Sequence, residues 1–115
     1  MSDAAGPEEV PDGAAVFPEI PADLGVHPLL LAVLHATVFL AGSDNKVVHP
    51  AAADEAIQAM AGYLQRLDGT QLAQVREDLD CLIAFARQSK WHRELVLFLK
   101  GFLSDYGIGG EDENE

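Results

Sequence analysis

Four stretches of the chain repeat apolar side chains at intervals of three and four residues, the spacing that stacks them on one face of an α-helix. The first runs from Pro28, a residue suited to a first helical turn, to Ala41, with Gly42 placed to end it. Its Leu29, Leu30, Leu31, Val33, Leu34, Val38, Phe39 and Leu40 leave almost no polar stripe. Such a helix is normally surrounded by others, so it is expected to be the most buried of the four. The second starts near His49-Pro50, carries Asp54 and Glu55 close to its positive end, and repeats Ile57, Met60, Ala61, Leu64 and Leu67. Asp68-Gly69-Thr70-Gln71 has the form of a capping box, and the third helix is expected to begin there, with Leu72, Val75, Leu79, Leu82, Ile83 and Ala86 as its inner face. Ser89 reads as the N-cap of a fourth helix whose stripe is Trp91, Leu95, Phe98, Leu99, Phe102 and Tyr106, stopping at Gly107.

No strand-like alternation interrupts this series, and the short connections favour antiparallel neighbours. The pattern predicts an all-α fold, a compact four-helix domain over residues 23–107 with flexible acidic arms on both sides. The N-terminal arm, residues 1–22, holds Pro7, Pro11, Pro18 and Pro21 among small and acidic residues, a mixture that buries too little surface to offset its ordering entropy. Within it Val16, Phe17 and Ile20 form an apolar cluster that either folds back on the domain or docks on a partner. The acidic tail is assigned to residues 108–115. The whole chain has 115 residues, 49% of them hydrophobic, enough for one small core and too few for two.

Charge is concentrated in the arms. Residues 1–25 and 104–115 hold eleven acids and no Lys or Arg, against a net charge of −12, and the middle is nearly neutral. Few, scattered bases argue against nucleic acid as a partner, since backbone recognition requires cations that displace phosphate counterions. The longest apolar run, Leu29 to Ala41, is shorter than the roughly 20 residues of a membrane span and is broken by His35 and Thr37, so no membrane partner is expected. A lone cysteine, Cys81, precludes an intrachain disulfide, and the acidic N-terminus lacks the cationic region of a secretory signal. Both features fit a cytoplasmic protein.

The chain is poor in reactive constellations. From Asp44 to Glu55 the spacing of a calcium loop can be tested, and it fails: Lys46 and Val48 stand at ligand positions and His49 where the turn needs glycine. His27, His35, His49 and His92 show none of the spacings that aim two ligands from one helical face. His35, within the apolar first helix, is expected to be a core histidine with a hydrogen-bond partner. Cys81 sits between Leu79 and Leu82, beside acids that disfavour a thiolate, and is expected to be a small core residue. No phosphate-binding glycine motif is present. The chain therefore reads as a non-enzyme without a cofactor.

The run from Leu40 to Glu55, a helix end, an acidic turn at Asp44, a hydrophobic residue and a new helix, resembles the TerB-like domains. These are all-helical modules associated with tellurite resistance and with some co-chaperones. Such domains place Gly after the turn Asp and repeat the motif later, whereas here Asn45 follows Asp44 and Asp68-Gly69 is a loose echo. The resemblance implies an acidic turn that meets a metal or a partner, with Asp44 and His49 as the ligand candidates.

Taken together, the expected function is a small cytoplasmic protein-protein interaction module, with Phe17, Ile20 and Trp91 as partner-binding candidates and another protein, or a second copy of this chain as a homodimer, as the partner. A metal-binding or metal-stress-responsive TerB-like domain is the alternative.

Overall fold

A computed structural model describes residues 13–109; of the arms expected at 1–22 and 108–115, residues 1–12 and 110–115 lie outside the described residues. Among the described residues four helices follow one another: α1 (Pro28–Gly42), α2 (Pro50–Leu64), α3 (Gly69–Gln88) and α4 (Arg93–Asp105), with a 3₁₀ turn at Ala22–Leu24 before them. There is no strand among the described residues, and the all-α fold is as the periodicity predicts. The closest backbone neighbours are α1 with α2 and α3 with α4, two hairpins joined across a shared core.

Local chemistry sets each helix boundary. Asp68 and Gln71 form the predicted capping box: the Asp68 carboxylate accepts the Gln71 N–H at 2.8 Å and the Gln71 side-chain oxygen accepts the Asp68 N–H at 3.0 Å. The other three helices are capped by histidine. Nδ1 of His27, His49 and His92 accepts the N–H two residues on, from Leu29, Ala51 and Glu94, at 3.0, 3.1 and 3.2 Å. In the first two, proline follows directly and supplies the first helical residue.

The ends of α3 and α4 share a second device. After α4, Gly107 adopts a left-handed φ of 69°, its N–H donates to Ser104 O, and the Ile108 N–H donates to Leu103 O at 2.9 Å. This is a Schellman motif, which satisfies carbonyls that a helix end leaves open. After α3, Lys90 takes the left-handed position with φ 58°, and the Trp91 N–H donates to Ala86 O at 2.9 Å. Ser89 is therefore the C-cap of α3, not the N-cap of α4, and Trp91 precedes α4 instead of opening its stripe.

The core is centred on Leu34, Leu82, Leu99 and Phe102, closed by two residues from outside the helices, Phe17 and Ile108. Both correct the expected domain limits. Ile108, assigned to the acidic tail, is 1% exposed because the Schellman turn folds it back onto the core. Phe17, assigned to a flexible arm, is also 1% exposed. Residues 13–26 form a strap across the seam between α1 and α3/α4, fixed along its length. Gly13 O accepts the Asp44 N–H at 2.9 Å, Ser43 Oγ accepts the Ala15 N–H at 2.8 Å, the Cys81 thiol approaches Leu24 O at 3.8 Å, and Val26 joins the core. The burial of Phe17 against three other rings supplies what the arm's composition alone could not, enough apolar area to offset its ordering.

The first helix is less enclosed than its sequence predicts. Leu30, Leu34, Thr37 and Val38 are buried, but Leu29 is 71% exposed and Phe39 41%. α2 covers one side and the strap another, which leaves a third side of its N-terminal half open.

Candidate functional site

That open side is one wall of an apolar groove of about 530 Å³. Leu29, Leu30, Ala32 and Val33 of α1 form the first wall, and Leu64 and Leu67 close the end where α2 turns into α3. Gln71, Gln74, Val75 and Asp78, spaced three and four apart on one face of α3, form the second wall. The groove exists because α1 and α3 belong to different hairpins and are held apart at this end by the short Gln65–Asp68 connection.

Asp78 is the carboxylate lining the groove; His27 lines it as well, and no Lys or Arg does so among the described residues. It is 6% exposed, which is rare for a carboxylate without a cation beside it. Among the described residues its hydrogen-bond donors are neutral: the His27 backbone N–H at 3.2 Å to Oδ2 and the Gln74 side-chain amide at 3.1 Å to Oδ1.

The sequence-derived candidates fall elsewhere. Phe17 is inside the core, edge-on to His35 at 5.0 Å, Trp91 at 5.4 Å and Phe98 at 6.5 Å, so it is not free to meet a partner. Ile20 is half-buried and packs on the same core. Trp91 is half-buried between Phe17 and Phe85, the latter at 5.9 Å, and its role is to close the strap's seam. The structure thus brings Phe17 and Trp91 together, as packing partners instead of as a surface.

Asp44 and His49 direct their ligand atoms at their own backbone. Asp44 Oδ1 accepts the Lys46 N–H at 2.9 Å, and its carbonyl accepts from Val47 and Val48. His49 Nδ1 is engaged as the α2 cap. Among the described residues no three His, Cys, Asp or Glu side chains are placed to share a metal ion. His35 meets an aromatic edge as its structural neighbour, and Cys81 is half-buried beside the strap. No helix of the described residues is long and apolar enough to cross a membrane.

Two further surfaces were considered as sites. A cleft between α3 and α4 is lined by Arg76, Asp80, Lys100 and Ser104 over Leu79, Ile83, Leu99 and Leu103, and an apolar hollow of about 390 Å³ lies beside Val16, Val38, Ala41 and Leu95 where the strap begins. The first mixes both charge signs and offers no directed donor set. The second is floored by the strap itself, whereas the α1/α3 groove has two helical walls, with His27 and Leu67 of the connections at its edge, and carries the buried acid.

The groove was not legible as a site, but a signal for it existed. α1 is apolar on more sides than a four-helix domain of this size has neighbours to cover, so some of that surface had to face solvent or a partner. Compared with protein-family models, curated proteins and solved structures, the chain matches none of them.

Proposed function

We propose that the chain is a cytoplasmic, non-enzymatic protein-protein interaction module that receives a helix of another protein in the groove between α1 and α3. The observation that carries this reading is Leu29. It is a large aliphatic residue 71% exposed at the mouth of an apolar groove, beside Ala32, Val33 and Val75, in a helix that buries Leu34 and Val38 on its opposite face. Contiguous apolar surface of that kind is costly to leave in water, and two helical walls with side chains at spacings of three and four match the way an amphipathic helix seats its own stripe. The lone half-buried cysteine fits a reducing compartment.

The test is site-specific photo-crosslinking in the cells that make the protein. A photoreactive residue at Ala32, on the groove, is expected to give one discrete protein adduct, and the same residue at exposed Ala84 of α3 none. No adduct from Ala32, or the same adducts from both positions, would contradict the reading.

A further inference from the structure

We infer that the outward face of α1 pairs with the same face of a second copy of this chain, the two helices lying antiparallel about a two-fold axis at the level of Leu34. This goes beyond the groove reading: the face shares Leu29 and Ala32 with the groove, and its other half lies outside it.

The face is what the fold leaves of α1 once its neighbours are placed. Leu30, Leu34 and Val38 are buried in the core. Thr37 lies beside Ile57, Met60 and Leu64 of α2, while His35 meets Phe17 of the strap, and Ala41 and Gly42 lie near Ala15 and Val16. Between α2 and the strap remains the line Leu29, Ala32, Ala36 and Phe39, at intervals of three, four and three residues. Leu29 and Phe39 are exposed large apolar side chains, Ala32 is exposed and Ala36 half-buried.

Those intervals are the a and d positions of a heptad, the seam along which two helices pack. The order of sizes selects the second helix. Large, small, small, large reads the same in both directions, so an antiparallel pair sets Leu29 against the second copy's Phe39, and Ala32 against its Ala36, at both ends alike. A two-fold dimer requires a patch that is complementary to itself in this way. The alanines let the helix axes approach at the centre while the larger side chains close the ends.

Charge agrees with the pairing. α1 contains no Asp, Glu, Lys or Arg, so no like charges are forced together along the seam, and its titratable side chain, His35, faces the strap. It also has no acid in its first turn and no base in its last. An antiparallel copy sets the negative end of one helix beside the positive end of the other, as α2 does on another flank. Beyond the ends stand Asp23 and His27 on one side and Asp44 with Lys46 on the other, so each end of the seam brings together both signs. The net charge of −12 acts at longer range and opposes association.

The test is sedimentation equilibrium of the full chain. Two helices of 15 residues make a contact of transient size, so a monomer–dimer equilibrium with a dissociation constant between about 10 μM and 1 mM is expected. Association should tighten as salt is raised, because the seam is apolar and screening weakens the repulsion between copies. Leu29→Lys and Phe39→Asp, both at exposed positions, should each weaken it about tenfold or more. The two variants mixed should associate about threefold more tightly than either alone, since their antiparallel pair sets the new cation beside the new carboxylate and keeps one Leu29–Phe39 contact. Leu97→Asp, at an exposed position of α4, should change nothing.

No dimer up to about 1 mM, the weak limit for a contact of this size, would overturn the inference. So would association that salt weakens, a loss with Leu97→Asp equal to that with Phe39→Asp, or a mixture no tighter than its components. A photoreactive residue at Ala36, which does not line the groove, reads the pairing without disturbing the large side chains: an adduct of twice the chain's mass supports it, and its absence at millimolar chain contradicts it. The groove reading is judged apart, by an adduct from Ala32 to a different protein.

Discussion

Phe17 is the residue on which the strap depends. It contributes the one large side chain that residues 13–26 bury fully, and it does so against Trp91, His35 and Phe98 at once. Phe17→Ala removes that area and leaves a cavity that helices on either side cannot close, so a loss of about 3–5 kcal/mol is expected in denaturant unfolding. A loss below about 0.5 kcal/mol, the range of ordinary surface changes, would place Phe17 outside the core. The histidines lend themselves to a smaller test. Because His49 Nδ1 accepts the Ala51 N–H, His49→Ala should cost about 0.5–1 kcal/mol, and His49→Asp, which restores an acceptor and adds a favourable charge at the helix's positive end, should recover it. If Ala and Asp gave equal stability, the cap would have no energetic role. These caps were half legible in the sequence. His27-Pro28 and His49-Pro50 mark helix starts through proline, but histidine is an uncommon cap, and four histidines in a small chain draw attention to metals first. Tyr106 titrates in the same region as the α4 Schellman turn; burial, and then the charge of Asp105, push its phenol above the ordinary tyrosine range.

At the scale of elements, periodicity carried the fold further than composition did. The four helices begin and end within a few residues of the pattern's limits, since a stripe at spacings of three and four is a direct image of a packed face. The α3–α4 junction is where this failed. Ser89 looks like an N-cap, but the turn is built around the backbone of Lys90, and nothing in a lysine advertises a left-handed φ of 58°. Glycine takes that conformation without the Cβ clash, so Lys90→Gly should stabilise the protein by about 0.5–1 kcal/mol, read as a raised midpoint in denaturant at unchanged slope. A destabilisation would mean that the Lys90 side chain makes contacts worth more than the strain. The strap escaped for a different reason. Prolines and acids dominate its composition, while its place in the fold comes from one ring and backbone hydrogen bonds to Ser43 and Asp44.

For the whole molecule, the arrangement is an economy of faces. The strap covers the seam of α1 with α3/α4 on one side, Ile108 closes the far end, and the remaining apolar surface of α1 is left open opposite Val75. Net charge follows the same division: residues 26–103 are nearly neutral, the excess of acids lies on either side of them, and Asp78 is the carboxylate at the groove. The central claim is that this open surface is kept for a partner, and not simply exposed in the way that Val16 (61%) or Leu97 (51%) is. The measurement that tests it most directly is methyl NMR of the full chain, labelled at Leu and Val, in an extract of the cells that make it. The account predicts that Leu29, Leu30, Val33, Leu64, Leu67 and Val75 shift or broaden together while Val16 and Leu97 keep their free-chain signals. Broadening of all exposed methyls alike, or groove signals unchanged from those of the isolated chain, would contradict it.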